Sequence, residues 1–330
     1  MLSILMVAVC VQPVPSPRAE NPPAAANAAA SELFESRELV TIVSGCRFTE
    51  GPIYRSADHT LLFSDIPGDA IYACTIEKGV EKTPASGLTV VRKPAGNPNG
   101  LAFDHQGRLL VAHHNGTVTR AEPDGTITVL AKAFEGQRLN SPNDLVVTPA
   151  GDIIFSDPPF GVQAKDRRLD YCGIFRLTPD GTLSLLIKEI TLPNGLALSN
   201  DATTLYLADM NNSSILAADL GADGSAANLR TLAKLDDPGK RGRPDGVKVD
   251  LAGNIWSTGP GGLWITRPDG TTLDRLDVQG ASNLCFGGPD GRSVFITAGA
   301  KVFMARLTAP AISPPADAKP ATDAPAGARP

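Results

Sequence analysis

The chain has 330 residues, with 30 Lys and Arg against 35 Asp and Glu, for a net charge of −5. That length gives one large domain or two small ones and is ample to bury a core. No basic block stands out, which argues against a nucleic-acid partner and leaves metal ions and neutral small molecules as the expected company.

The first residues, MLSILMVAVC, form an apolar run too short to span a bilayer, so no membrane span is expected. The run reads as the core of a secretory signal with cleavage near Ala19, although no Lys or Arg precedes it. It predicts export, to the periplasm or beyond, with a cytoplasmic location as the alternative. Val9 is bulkier than the small residue that should precede a lipidated Cys10, so lipidation is not expected. Residues 1–35 are assigned to this signal-like segment and a Pro/Ala-rich linker. At the other end, residues 308–330 (TAPAISPPADAKPATDAPAGARP) lack the apolar side chains for a core and read as a disordered tail. The folded part is expected over 36–307. Cys46, Cys74, Cys172 and Cys285 form no C-x-x-C pair and read as small buried hydrophobes, with one disulfide open to an exported protein.

Six segments align within the folded part: TEGPIY, NPNGLAF, SPNDLVV, LPNGLAL, RPDGVKV and ASNLCF. Each holds one oxygen-bearing residue, here called the anchor: Glu50, Asn99, Asn143, Asn194, Asp245 and Asn283. The period is roughly 45 residues, the range of propeller repeats. Eight residues past the anchor comes a hairpin turn signal: Asp58, Gly107, Gly151, the SNDATT stretch, Gly253 and Gly291. A second strand follows each turn (LLFSD, LLVAHH, IIFSD, LYLAD, IWSTG, VFITA). Helical periodicity is nearly absent. The pattern predicts an all-β chain, a six-bladed β-propeller of antiparallel meanders. The segment ELVTIVSGCRF, before the first anchor, should pair with the last blade and close the ring.

In such a fold the first strand of each blade lines the central channel, so all six anchors converge at one end of it. Asp65, His114, Asp157 and Asp209 return to the same end on the second strands. Glu50 and Asp245 bring two carboxylates, and Asn143 and Asn194 bring neutral amide oxygens. That set suits one axial divalent cation, with Ca²⁺ favoured and Mg²⁺, Mn²⁺ or Zn²⁺ as alternatives. The competing reading is that Asn and Asp are only turn formers.

TEGPIY, RLNSPNDLVV, FSDPPFG, LPNGLALS and RPDGVKVD together resemble the gluconolactonase and regucalcin (senescence marker protein) family, from about Ser44 to Leu307. The resemblance implies a six-bladed propeller with a catalytic divalent cation on its axis. It also implies metal ligands at Glu50, Asn143, Asn194 and Asp245, with Asp245 as general base. Regucalcin-type members carry a substrate-binding Arg two residues before the ND motif. Ser141 stands there in this chain, so that contact is not carried over.

The residues and the resemblance both point to metal-assisted hydrolysis, and the resemblance implies that the substrate is a sugar lactone, a gluconolactone-type aldonolactone, opened to its acid. Asn99, His114, Arg138 and Asn283 are candidate substrate-binding residues. Each has a plainer reading, as turn former, structural histidine or loop arginine. Asp144 should bind a backbone amide, the alternative being a second cation. A different metal-dependent esterase or phosphotriesterase, and a binding propeller without activity, are the competing functions. No G-x-S-x-G elbow, H-E-x-x-H or P-loop is present. Oligomeric state is not legible.

Overall fold

The structure, a computed structural model, describes residues 33–77 and 87–313. The expected signal, its cleavage at Ala19, and Cys10 lie outside these residues. So does the tail beyond Ser313. All described residues belong to one compact unit, Glu32–Pro330.

Six four-stranded antiparallel sheets make up the fold, with one two-stranded hairpin at Ala133–Phe134 and Gln137–Arg138. Each sheet is one blade. The innermost strands, blades I to VI in order, are Thr49–Arg55, Pro98–Phe103, Leu145–Val147, Pro193–Leu198, Val247–Val249 and Ala281–Gly287. Blades I to V are simple meanders. Blade VI takes three strands from the C-terminal end and its outermost from the N-terminal end. There Val40–Val43 pairs antiparallel with Lys301–Arg306. The closure expected from ELVTIVSGCRF is thus realised. The sole helix among the described residues is the 3₁₀ turn Ala164–Asp166. No helix there is long and apolar enough to cross a membrane.

The second strands are buried on both faces, as in Ile153–Asp157. The reason is packing geometry. Alternate side chains enter the cores on either side of a blade. Phe155 goes to the cluster shared by blades II and III, and Ile154 to the cluster shared by III and IV. Among the described residues there are six such clusters, one at each contact between neighbouring blades. A strand in this position must be apolar at consecutive residues, and IIFSD, LLFSD and LYLAD are. Outermost strands such as Ala226–Lys234 are mostly exposed and alternate irregularly.

The hairpin eight residues past each anchor needs a left-handed residue. Gly107, Gly151, Gly253 and Gly291 supply it with φ of 74°, 89°, 84° and 71°. Blade IV places Ala202 there at φ 57°, and blade I shifts the demand to His59 at 56°.

The fold extends past both expected boundaries. Phe34 is buried edge-on against Trp256, 5.6 Å between ring centres, and bridges to Leu307. Ala311 is buried too, with its carbonyl accepting from Leu251 N at 2.9 Å. The first six residues assigned to the tail therefore cover the edge of the blade V–VI core. Cys46, Cys74, Cys172 and Cys285 are all unpaired, and the last three are buried.

Candidate active site at the channel mouth

The residue after four of the anchors is glycine: Gly51, Gly100, Gly195 and Gly246. Gly100, Gly195 and Gly246 do not have positive φ, so no turn requires them. Close approach does. A Cβ on Gly195 would stand 2.2 Å from Asp245 O, and one on Gly100 would stand 2.6 Å from Asn143 O. The backbone uses that closeness. Gly100 N donates to Asn143 O at 2.7 Å, Gly195 N to Asp245 O at 2.9 Å, and Gly246 N to Ser282 O at 2.8 Å. Serine hydroxyls stitch two further junctions, Ser64 Oγ to Asn99 O at 2.7 Å and Ser282 Oγ to Thr49 O at 2.9 Å. Neighbouring inner strands are thus clamped where the anchors begin.

Five anchors are buried, and Asp245 is partly exposed. Glu50 Oε2 accepts from Gly51 N at 2.8 Å and from Asn283 Nδ2 at 3.0 Å. Burial, and next the Asp144 charge, push the Glu50 carboxyl up to about 7 against these hydrogen bonds. Asp245 is also pushed well above the carboxylate range, first by burial, then by Glu50 and Asp144, and against the nearby Asn194 side chain. The Asn194 Nδ2 lies 3.0 Å from Met210 Sδ. Asn143 is buried beside Asp144, its amide N donating to Ser156 O at 2.9 Å. The structure brings Glu50, Asn283, Asn194 and Asp245 into one interacting group, which blade III joins through Asp144, the residue after Asn143.

Among the described residues no three of His, Cys, Asp and Glu form a metal-binding cluster. The candidate set holds only two carboxylates and completes itself with amide oxygens. Its carboxyls are raised first by burial and then by neighbouring carboxylates, and a hard divalent cation placed there would offset both effects.

The four candidate substrate residues part company. Asn99 Nδ2 lies 2.9 Å from His114 Nε2, while Asn99 Oδ1 is buried with no hydrogen-bond partner. Burial lowers His114 to about 4, so the ring is neutral near pH 7. Accepting at Nε2, it carries its proton on Nδ1. The neighbouring His113 turns the other way, to Thr119 Oγ1 at 2.8 Å. Asn283 is spent inside the protein: Oδ1 accepts from Leu284 N at 2.8 Å, and Nδ2 holds Glu50. It positions a carboxylate and leaves no donor aimed at substrate. Arg138 Nη1 donates to Leu139 O and Asn140 O at 2.8 and 2.9 Å, which fixes the guanidinium against its own loop.

The returning aspartates hold loops and add no ligand. Asp65 accepts from Arg47 N and Phe48 N, both at 3.0 Å, and Asp157 from Asn140 N and Ser141 N at 2.8 and 2.7 Å. Asp209 caps the turn at Asn211 and Asn212. Ser141, at the position of the regucalcin arginine, receives Gly161 N at 2.8 Å and so fastens the loop after DPPF. Asp144 Oδ1 takes the Leu145 amide at 2.9 Å, as expected. Its Oδ2 meets Lys248 Nζ at 3.4 Å. Lys248 was missed. The signal was available: it is the one charged residue three places after an anchor. A separate cleft of about 370 Å³ opens on the opposite face between blades II and III, where Arg108 is paired with Asp104 and Glu122.

A family model described as the SMP-30/Gluconolactonase/LRE-like region matches residues 48–300. The chain belongs to this family. A gluconolactonase of Zymomonas mobilis is 33% identical over 303 residues, covering 83% of this chain and 82% of that protein. A pentonolactonase of Haloferax volcanii is 27% identical, covering 77% and 82%. The solved structure of a gluconolactonase from Xanthomonas campestris superposes with a TM-score of 0.72 at 33% identity, covering 82% of this chain and 89% of that one. Membership in the SMP-30/gluconolactonase/LRE-like family agrees with the propeller, and the match spans all six anchors.

Proposed function

We propose that the protein is a metal-dependent lactonase that opens a gluconolactone-type sugar lactone to its acid. One observation carries the reading: the Glu50 and Asp245 carboxyls lie with the Asn194 and Asn283 amides at the channel mouth, and both are raised first by burial and then by neighbouring carboxylates. Gluconolactonase and pentonolactonase relatives that share most of the chain's length support the substrate class.

Glu50, Asn143, Asn194 and Asp245 would hold the cation, with Ca²⁺ favoured by the all-oxygen set. When bound, the ion supplies Lewis-acid polarisation of the lactone carbonyl. Gly51 N and Asn283 hold Glu50 in place. Asp245, partly open to the mouth, orients the attacking water and takes its proton. Water oxygen bonds to the carbonyl carbon, the ring C–O bond breaks, and the ring oxygen leaves as a hydroxyl carrying a proton. A cation weakens a carboxylate as a base, whereas burial and Glu50 strengthen Asp245 as one, so the two effects oppose each other. General-base help of this kind is worth about 10²–10⁴-fold. The unpartnered Asn99 Oδ1 can accept a substrate hydroxyl, its amide held by neutral His114.

The test is pH-stat hydrolysis of glucono-1,5-lactone by EDTA-treated protein, with Ca²⁺, Mg²⁺, Mn²⁺ or Zn²⁺ returned one at a time. Turnover should need an added ion and drop at least ~10²-fold in Asp245→Asn. Turnover that survives EDTA refutes the metal role. An ion-loaded protein inert on lactones but active on an aryl ester or phosphotriester refutes the substrate. Inertness on all of these leaves a binding propeller.

A further inference from the structure

Three places after the anchor, five blades carry Ile53, Ala102, Val146, Ala197 and Phe286, all packed in the cores between blades. Blade V carries Lys248. Its Nζ donates to Val247 O at 3.0 Å and lies 3.4 Å from Asp144 Oδ2. The same Asp144 oxygen lies 3.4 Å from Asn283 Nδ2. Asp144 belongs to blade III and Asn283 to blade VI. In a ring of six these blades stand opposite, so the contact is made at the axis. Asn283 Nδ2 also holds Glu50 Oε2 at 3.0 Å, so one amide lies between two carboxylates. Lys248 reaches this group from deeper in the channel, and its charge acts on both Glu50 and Asp245.

We propose that Lys248 is a built-in counter-cation that offsets Asp144 and so leaves Glu50 and Asp245 as the two uncompensated charges, matching the site to a single divalent ion. The inference rests on the metal reading above. Stability alone does not call for a lysine here. Apolar side chains fill this position in the other five blades, and replacing a buried ion pair by well-packed apolar groups is often neutral or stabilising. Charge does call for one. Glu50, Asp144 and Asp245 together bring three negative charges to the axis, and one divalent ion balances only two.

A charge cycle tests this on the full chain, stripped with EDTA and titrated calorimetrically with CaCl₂, then MgCl₂ and MnCl₂. Lys248→Met should tighten binding at least ~10-fold, and Asp144→Asn should weaken it by a similar factor. The double variant restores the balance and should return to within ~3-fold of the parent. Without cation, Lys248→Met should melt below the parent, and Asp144→Asn should rescue it. The proposal fails if both single variants shift affinity in the same direction, if Lys248→Met binds as the parent does, or if the double variant stays as far off as either single. A parent chain that binds none of the three ions overturns the metal reading, and this inference with it.

Discussion

Gly195 shows how one residue serves both assembly and site. Its φ is ordinary, so alanine meets no backbone penalty there. Its Cβ would nevertheless stand 2.2 Å from the carbonyl of Asp245, a backbone atom that cannot swing aside. Gly195→Ala must push blades IV and V apart at the point where Asn194 and Asp245 meet. We expect a loss of about 1–3 kcal/mol in urea unfolding, typical of overpacking, and weaker cation binding in the same variant. Unchanged binding in a folded variant would mean that the clamp does not set ligand geometry. The tripeptides PNG and PDG, which read in sequence as turns, owe their glycine to close contacts of this kind. The anchor oxygens were legible because they recur in register. The glycine's task was not, since it depends on an atom about 50 residues away across a blade boundary.

At the scale of the hairpin, Asp157 ends a fully buried strand and accepts both Asn140 N and Ser141 N, fixing the loop that leads to Asn143. Burial raises its carboxyl to about 7, outweighing the two amides and the Arg138 and Arg167 charges. An unfolded Asp titrates near ~3.9. Between these values the folded chain holds a proton that the unfolded chain lacks. This stabilising linkage is fully present below the unfolded value and is lost as pH rises through about 7. The stability of the parent relative to Asp157→Asn should therefore increase as pH is lowered from 8 to 5, read from urea midpoints at each pH. A flat difference would show that the carboxyl stays ionised throughout. Elements were the most legible level: six hairpin signals, strand order and the closing segment follow from periodicity. The roles of Asp65, Asp157 and Asp209 were not, because spacing returns them to the mouth without saying that backbone amides would occupy them. Asn283 and Arg138 are alike in this. Their residue types suit substrate, and only the folded chain reveals that neighbours already use the Asn283 amide and the Arg138 Nη1.

For the whole molecule, closure depends on one short strand. Val40–Val43 covers the edge of Lys301–Arg306, and the apolar core shared by blades VI and I includes Ile42 and Val43. A chain that begins at Ser44 leaves that edge unpaired. It should melt lower, bind a hydrophobic dye and self-associate on gel filtration, whereas a monomer of unchanged midpoint would show that the other strands suffice. The boundaries of this closure were underestimated from composition, since the Pro-rich segment after Leu307 has little apolar content yet buries Ala311 over the blade V–VI core. Joining the first strand to the last also imposes an order in time. During synthesis the N-terminal strand has no partner until Lys301–Arg306 has been made. Glu50 has no Asn283 to hold it until blade VI exists. A chain cut short before blade VI is therefore built without the full constellation, and competence to react becomes a certificate that synthesis has passed that blade.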